Sequence, residues 1–247
     1  MFSFFKKKNA GFSPDYFPFV TDIHSHILPG IDDGSPDVDT SIKLIKGLVQ
    51  LGVQQSIATP HIIGDMYRND AASIQHALSI LRNELKTRQI DFQINAAAEY
   101  MLDGFFLDLL SSKTPLLTLK DNLVLTEFSY ADKPYNIEQI VFSIITEGYQ
   151  PILAHPERYA YFHNDLKQYK ILSDMGFLLQ VNLLSLTGYY GKQVTKAAYY
   201  IAQNNLIAFT GSDLHHARHL EALADSKNKM QIAKILDGKM YNQELRF

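Results

Sequence analysis

Residues 19–26, Phe-Val-Thr-Asp-Ile-His-Ser-His, form a short apolar and β-branched run that ends on two histidines. Such a run is typical of a buried strand. Side chains two positions apart on a strand point to the same side, so His24 and His26 can bind one metal ion together. This stretch predicts a strand whose C-terminal end carries metal ligands.

The same pattern, an apolar run that ends on an ionisable residue, recurs along the chain. The predicted strands are 19–26, 55–60, 93–99, 123–128, 151–155, 177–182 and 207–211. Amphipathic helical patterns lie between them, one with apolar Ile42, Leu44, Ile45, Leu48 and Val49 and another with Ile74, Leu78, Leu81 and Leu85. Repeated strand–helix units with nearly continuous apolar strands predict a parallel sheet covered by helices.

The predicted fold class is α/β, a single-domain (β/α)7-type barrel with its chemistry at the C-terminal rim of the strands. No glycine-rich phosphate fingerprint follows the first strand, which disfavours a doubly wound dinucleotide-binding sheet. Ser35 before Pro36 is a predicted helix N-cap, and Gly52, Gly148 and Gly176 are predicted helix ends. No linker or low-complexity tract divides the chain, so residues 1–18 are interpreted as an N-terminal extension and 19–247 as one domain.

Composition excludes several classes of protein. The formal net charge of -3 gives no electrostatic reason to expect nucleic acid. The absence of cysteine excludes a cysteine nucleophile, a disulfide framework and a thiolate metal site. No apolar run is long enough to span a bilayer. The start of the chain, with its Phe and Lys residues, lacks a signal-peptide pattern, so we expect a cytoplasmic protein; weak contact with an anionic membrane is the less favoured interpretation of these residues.

Metal-competent side chains stand at the ends of most predicted strands. They are His24, His26, His61, Glu99, Glu127, His155, Asp213 and His215. One histidine at a strand end is more often a hydrogen-bonded surface residue, but in a β/α barrel all these ends meet at one rim. Carboxylates such as Glu99 and Glu127 can bridge two cations. The set predicts a site with nitrogen and oxygen ligands, suited to Mn, Fe, Zn or Mg.

Two arginines are candidates for phosphate binding. Arg158 follows His155 closely, and its planar fork matches phosphate oxygens. Its alternative is a surface salt bridge with Glu157. Arg218, shortly after the last ligand pair, is the second candidate. The remaining histidines, His76, His163, His216 and His219, are interpreted as having no role in the site.

These motifs resemble the polymerase and histidinol phosphatase (PHP) superfamily, and within it the CpsB-type bacterial tyrosine phosphatases. Residues 22–34, Asp-Ile-His-Ser-His-Ile-Leu-Pro-Gly-Ile-Asp-Asp-Gly, carry the most specific part of the resemblance. The others are Thr59-Pro60-His61, Ala98-Glu99, Thr126-Glu127-Phe128, Ala154-His155-Pro156-Glu157-Arg158-Tyr159 and Gly211-Ser212-Asp213-Leu214-His215. The resemblance implies a distorted PHP-type barrel with a trinuclear site, usually occupied by manganese.

The resemblance also adds Asp33 to the metal ligands, whereas the residues alone indicate a turn at Asp32-Asp33-Gly34. It implies a substrate, phosphotyrosine on the tail of a membrane-associated tyrosine autokinase of capsule or exopolysaccharide biosynthesis. The family has an arginine after its final Asp-x-His motif, and Arg218 stands earlier than that position.

We hypothesise hydrolysis in a single step by a metal-activated hydroxide, with two or three ions and with Arg158 on the phosphoryl oxygens. Asp33 or His215 is the candidate general acid. Three alternatives are a phosphoesterase for a small metabolite such as histidinol phosphate, a metal-dependent nuclease, and a catalytically silent scaffold that binds a phosphotyrosine tail. The oligomeric state does not follow from the sequence.

Overall fold

The computed structural model describes residues 17–247, in which parallel strands alternate with helices. The strands are β1 (Thr21–Asp22), β2 (Gln55–Ala58), β3 (His61–Ile62), β4 (Gln93–Ala96), β5 (Glu99–Met101), β6 (Leu123–Glu127), β7 (Gln150–Ala154), β8 (Leu178–Asn182) and β9 (Ile207–Gly211). The helices are α1 (Val38–Gln50), α2 (Ala71–Thr87), α3 (Gly104–Ser111), α4 (Ile137–Thr146), α5 (Gln168–Met175), α6 (Lys192–Gln203), α7 (Ala217–Ala224) and α8 (Ser226–Ile235). Short 3-10 helices occupy Pro156–Arg158, Ala160–Phe162, Leu183–Leu186 and Gln243–Leu245.

The strands form two parallel sheets, with the orders β1-β2-β4 and β3-β5-β6-β7-β8-β9. The predicted second and third strands are each divided into two pieces, β2 with β3 and β4 with β5. The first break falls at Pro60, which has no N–H to donate to a neighbouring strand. Backbone bonds still cross the breaks, from the N–H of Ala97 to the carbonyl of Ala58 at 2.9 Å and from that of Glu99 to Pro60 at 3.0 Å. The α/β class and the parallel strands are confirmed.

The first predicted strand is shorter than expected, because only Thr21–Asp22 pairs with a neighbour in a regular ladder. Beyond it, the N–H of His26 donates to the carbonyl of Leu214 at 2.9 Å, and that of Asp213 donates to His24 at 2.8 Å. The first strand therefore meets the segment after the last strand next to the site. Because the ladders form two sheets, a closed (β/α)7 barrel is not confirmed and stays a prediction.

A small apolar cluster lies among strands of both sheets. Its buried members are Ile23, Ile57, Ala97, Leu119, Leu125, Ile152, Ala154, Phe209 and Leu245. A larger cluster packs the helices against the outside of the sheets. Burial of each large aliphatic side chain contributes about 1.5–3 kcal/mol. Residues of the two sheets therefore share one apolar cluster.

The C-terminal tail joins β1 to β9 through one buried side chain. Nδ2 of Asn242 donates to the carbonyl of Thr21 at 2.9 Å and to that of Thr210 at 2.8 Å, and its Oδ1 accepts from the N–H of Thr210 at 3.2 Å. This amide takes the place of strand-to-strand hydrogen bonds at that point.

Helix boundaries largely follow the sequence signals. The N-cap of α1 is Asp37, which accepts from the N–H of Thr40 at 2.7 Å, so the prediction of Ser35 was wrong by two residues. A carboxylate directly before the first turn provides the stronger cap here. Gly176 ends α5 with φ 115°, as predicted, whereas Val49 of α1 is 44% exposed and lies outside the apolar face.

Most of the predicted N-terminal extension lies outside the described residues. Phe17 is buried, and its ring packs edge-on against Phe19 at 5.1 Å. Within residues 17–247, none of the helices is both long and apolar enough to cross a bilayer.

Candidate active site

The predicted ligands lie together, most of them at or just after the C-terminal ends of strands, while His61 and Glu99 are the first residues of β3 and β5. Glu99 begins β5, Glu127 is the last residue of β6, His155 follows β7, and Asp213 stands two residues after β9. Most of them are almost completely buried, although buried carboxylates and imidazoles are rare unless paired or bound to a metal. Their convergence follows from the parallel arrangement of the strands.

One group of ligand atoms centres on the first strand. Nε2 of His24 and Nε2 of His26 lie 3.4 Å apart. Oε2 of Glu99 is 3.2 Å from the former and 3.3 Å from the latter. Oδ1 of Asp213 is 3.4 Å and 3.6 Å from the same two nitrogens. Two nitrogens and two carboxylate oxygens thus face a common point.

A chain of buried amides fixes the orientation of the His24 ring. Oδ2 of Asp213 accepts from Nδ2 of Asn182 at 2.7 Å, and Oδ1 of Asn182 accepts from Nε2 of Gln180 at 2.9 Å. Oε1 of Gln180 then lies 2.6 Å from Nδ1 of His24. Because a carboxylate only accepts, each amide has a determined orientation, and the His24 proton belongs on Nδ1. When the ring is neutral, the lone pair of Nε2 is therefore directed to the common point.

Asp32 gives His26 the same orientation. Its Oδ2 is 2.8 Å from Nδ1 of His26, so the proton of His26 also belongs on Nδ1. When both rings are neutral, two lone pairs face each other across the Nε2–Nε2 separation, an arrangement that a bound cation would stabilise. Asp32 also accepts from the N–H of Gly34 at 3.0 Å, so this carboxylate is itself held in place while it orients the ring of His26.

Asp33 points to a different part of the site. Its Oδ1 lies 3.5 Å from Nε2 of His61 and 3.6 Å from Nε2 of His215. Its side chain is 53% exposed, while that of His215 is 16% exposed. This second group stands at the solvent side of the cluster, above the buried group around His24.

Glu99 and Glu127 occupy the space between these groups. Oε2 of Glu99 is 3.2 Å from Nδ1 of His61, and Oε1 of Glu99 is 3.1 Å from Nε2 of His155. Oε1 of Glu127 approaches Nδ1 of His61 to 2.9 Å, but without the geometry of a hydrogen bond. Both Glu99 oxygens, Oε1 of Glu127 and Nδ1 of His61 are buried and have no hydrogen-bond partner among residues 17–247. Such unsatisfied polar atoms require an explanation.

These donors fit a metal site. Four groups have ligand atoms that all lie within 4.8 Å of one another: His26 with Asp33, His61 and His215; His24 with His26 and Asp213; His24 with Glu99 and His155; and His61 with Glu99 and Glu127. The groups share members, as expected where ligands bridge neighbouring ions. The donor set of imidazole nitrogens and carboxylate oxygens suits Mn, Fe, Zn or Mg and does not select among them.

The ionisable side chains of this cluster shift one another's pKa values. Burial raises the pKa of Glu99, but the surrounding histidines lower it by more. This pKa therefore lies well below its usual range. Burial and the charge of Glu99 raise the pKa of Glu127 to about 7. Burial opposes protonation of His24, but Glu99 and Asp213 outweigh it and raise the pKa to about 9. Burial lowers the pKa of His155 to about 4.

Two of the predicted ligands have backbone conformations that side chains with a β-carbon rarely adopt. His155 has φ 35° and Asp213 has φ 50°, both in the left-handed region. Each such conformation costs on the order of 1–3 kcal/mol and persists only where surrounding contacts enforce it. The turns that carry these residues direct the side chains inward as soon as their strands end.

The cluster opens into a cavity of about 320 Å³, lined by Asp33, His61, Glu127, Tyr130, His155, Arg158, Tyr190, Asp213, His215, His216 and His219. Arg158 donates from Nη1 to Oδ2 of Asp213 at 2.7 Å, so its partner is a predicted metal ligand and not Glu157. Glu157 is completely buried and accepts from the N–H of Asn182 at 2.9 Å. A cavity of about 700 Å³ between α6 and α8 is larger, but it is lined by no carboxylate or imidazole.

Residues 20–244 match the family described as capsular polysaccharide synthesis, CpsB/CapC. The chain belongs to the CpsB/CapC family. The resemblance inferred from the motifs is therefore confirmed.

Relatives of this CpsB/CapC chain agree with the assignment. The tyrosine-protein phosphatase YwqE of Bacillus subtilis (strain 168) is 33% identical over 200 residues, which cover 81% of this chain and 78% of YwqE. A chain from the crystal structures of YwqE from Bacillus subtilis and CpsB from Streptococcus pneumoniae, described as unique metal-dependent tyrosine phosphatases, superposes with a TM-score of 0.75 at 28% identity. The match covers 90% of this chain and 96% of that chain.

A histidinol phosphate phosphatase from Lactococcus lactis, solved with zinc, L-histidinol and phosphate, has a TM-score of 0.54 at 12% identity. The match covers 90% of this chain and 94% of that one. At this identity the likeness shows a shared fold between the CpsB/CapC chain and that enzyme, and nothing about substrate.

Some residues of this CpsB/CapC site differ from the sequence interpretation. Arg218, the second candidate for phosphate binding, is exposed at the start of α7 and is not among the residues that line the cavity. His219, which was given no role, is 7% exposed and lines the cavity, with Nδ1 accepting from the N–H of His215 at 3.3 Å. Its i+4 spacing from His215 was the available signal. Tyr130 and Tyr190 carried no such signal.

Proposed function

We propose that the chain is a metal-dependent protein-tyrosine phosphatase that hydrolyses phosphotyrosine to tyrosine and inorganic phosphate. The observation that carries this proposal is the carboxylate of Glu99. Its buried oxygens have no hydrogen-bond partner in the described part of the chain and lie within 3.3 Å of four imidazoles. Membership of the CpsB/CapC family and the likeness to metal-dependent tyrosine phosphatases support phosphotyrosine as the substrate.

Divalent cations, two or three Mn²⁺ ions or their Fe, Zn or Mg counterparts, would supply the Lewis acidity that acidifies water and offsets phosphoryl charge. The proposed ligands are His24, His26, Asp33, His61, Glu99, Glu127, His155, Asp213 and His215. In this arrangement Asp32 and the Gln180–Asn182 amides hold the imidazole and carboxylate ligands in their binding orientation.

The residues at the cavity act on the substrate itself. Arg158 has N–H donors beyond the one bound to Asp213, and we propose that these bind the phosphoryl oxygens. A tyrosine phenolate leaves with a pKa of about 10, so it needs less protonation than an alkoxide. Asp33 or His215, close together at the solvent side, is the proposed proton donor to that oxygen.

The biological substrate that we propose is the phosphotyrosine tail of a membrane-associated tyrosine autokinase of capsule or exopolysaccharide biosynthesis, met in the cytoplasm. The capsular description of the family supports this context. The cavity supports it too, because the exposed side chain of Asp33 leaves the cluster open to a ligand attached to a larger chain.

The test is phosphate release by protein that has been stripped with a chelator and reloaded with Mn²⁺. The substrates are a phosphotyrosine peptide, a phosphoserine peptide of the same sequence, and histidinol phosphate. We expect metal-dependent release confined to the phosphotyrosine peptide. His155→Ala should lower the rate by at least about 100-fold. His76→Ala, at an exposed position in α2, is the matched control and should keep full activity.

The alternatives give different results in the same assay. Release from histidinol phosphate alone would move the function to small-metabolite hydrolysis. Tight binding of the phosphotyrosine peptide without release, in protein shown to contain metal, would support the silent scaffold and contradict the phosphatase.

A further inference from the structure

The guanidinium of Arg158 lies against two tyrosine rings. Its Cζ is 5.1 Å from the ring centroid of Tyr130 and 4.5 Å from that of Tyr190. These are the distances of cation–π contacts. With Nη1 bound to Asp213, the guanidinium is held by one edge contact and two ring contacts.

These residues come from three separate parts of the chain. Tyr130 stands in the connection between β6 and α4, Arg158 follows β7, and Tyr190 precedes α6. All three side chains line the same cavity as the metal-ligand candidates. Arg158 is the last residue of the 3-10 helix Pro156–Arg158, and the two tyrosines lie outside the helices and strands, so the tertiary fold brings the three side chains together.

The remaining N–H donors of the Arg158 guanidinium make no hydrogen bond to any residue between 17 and 247. A side chain with several rotatable bonds would otherwise pivot about its single contact with Asp213. The two rings restrict that motion, because a guanidinium leaving either ring loses a favourable contact. Its unused edge is thereby kept toward the cavity.

We infer that Tyr130 and Tyr190 are positioning residues that hold Arg158 in the orientation in which its free donors bind the phosphoryl oxygens. The inference deepens the proposed function and rests on it for the nature of the ligand. In this role the two tyrosines support the binding of an oxyanion through the contact of their aromatic rings with Arg158.

The two tyrosines differ in what else they contact. The hydroxyl of Tyr190 is buried and bonds to none of residues 17–247, so the contact with Arg158 comes from the ring alone. The hydroxyl of Tyr130 lies 3.3 Å from Nδ1 of His155, so a change there also disturbs a proposed metal ligand. Tyr190 is therefore the cleaner position for a test.

The experiment compares Y190L with Y190F in Mn²⁺-loaded protein. Binding of inorganic phosphate is measured by calorimetry, KM and kcat are measured with a phosphotyrosine peptide, and metal content is measured in parallel. We expect Y190L to weaken phosphate binding and raise KM by about tenfold at unchanged metal content. Y190F should restore both values, since phenylalanine keeps the ring. Y135L, at a tyrosine that is 99% exposed, is the remote control.

A double-mutant cycle with Arg158→Ala decides whether the effect passes through the arginine. In the R158A background, Y190L should weaken phosphate binding no further. Equal losses in Y190F and Y190L, or a full additional loss in the R158A background, would overturn the inference. Should Y190L not fold, Y190M makes the same comparison with Y190F, because methionine also lacks the aromatic ring.

Phosphate binding also separates this inference from the proposed function. If wild-type protein binds phosphate with this dependence on Tyr190 and Arg158 but does not hydrolyse the phosphotyrosine peptide, the positioning role stands and the phosphotyrosine substrate is wrong.

Discussion

Arg158 and Asp213 are joined by a hydrogen bond of 2.7 Å between Nη1 and Oδ2, while Oδ1 of Asp213 faces Nε2 of His24 at 3.4 Å. The two oxygens of one carboxylate thus serve different partners. The proposed phosphate-binding residue is anchored directly on a proposed metal ligand, so movement of either residue is transmitted to the other.

Arg158→Lys should lower kcat/KM for a phosphotyrosine peptide by about 100-fold. A lysine has one compact ammonium and is not able to hold Asp213 and present a second donor fork to the phosphoryl group. Metal content should stay near that of the wild type, because Asn182 still holds Oδ2 of Asp213. Steady-state kinetics and metal analysis check both points. Arg88→Lys, at a surface ion pair, is the control.

Gln180→Leu should weaken metal binding by about 10- to 100-fold. Without the amide, Nδ1 of His24 loses its acceptor at 2.6 Å, and the ring is free to change tautomer. Competition with a metal-binding dye measures the affinity. Gln203→Leu, at an exposed position of α6, should leave it unchanged. Equal affinity in the two variants would show that the amide chain does not orient the ligand.

Gly211→Ala should disrupt the site by displacing His24 and Gln180. A Cβ at this position would stand 2.7 Å from Cβ of His24 and 2.9 Å from Nε2 of Gln180, so the ligand and its support have to move. We expect loss of metal affinity together with a destabilisation of about 1–3 kcal/mol. Gly104→Ala is the matched control, because a Cβ there meets nothing within 4 Å. Denaturant unfolding of both variants, with metal titrations, tests the prediction.

Asn242→Ala should destabilise the fold by about 2–4 kcal/mol, because buried backbone groups of Thr21 and Thr210 lose their partner. The φ of 60° at Asn242, which alanine adopts less easily than asparagine, adds a small further loss of stability. Asn205→Ala isolates that term, since Asn205 has φ 55° and is exposed. If the two variants unfold at the same denaturant concentration, the amide does not hold β1 to β9.

The sequence predicted those parts of the site that a local pattern carries. The histidines and carboxylates were visible because each stands where an apolar run stops, and the parallel fold brings those ends together. Gln180 and Asn182 were not predicted, because polar residues within an apolar strand have no periodic signal. Tyr130 and Tyr190 were missed because their meeting with Arg158 depends on three loops.

The fold follows the same division. Strand positions and the parallel class were predictable from apolar runs and their spacing. The breaks around Pro60 and at 97–98 were not, since they depend on which neighbour each backbone group reaches. The tie that Asn242 makes between the first and last strands was also missed, because it joins residues more than 200 positions apart.

His155 and Asp213 have left-handed backbone conformations, so selection for a more stable fold and selection for activity favour different residues at these positions. Glycine or asparagine would adopt either conformation more easily. Variants chosen only for heat resistance are therefore expected to accumulate changes at these two positions and to lose the metal centre as they do so. A laboratory lineage evolved for thermal tolerance needs a second screen for activity, or it will erase the site that distinguishes the protein from an inert scaffold.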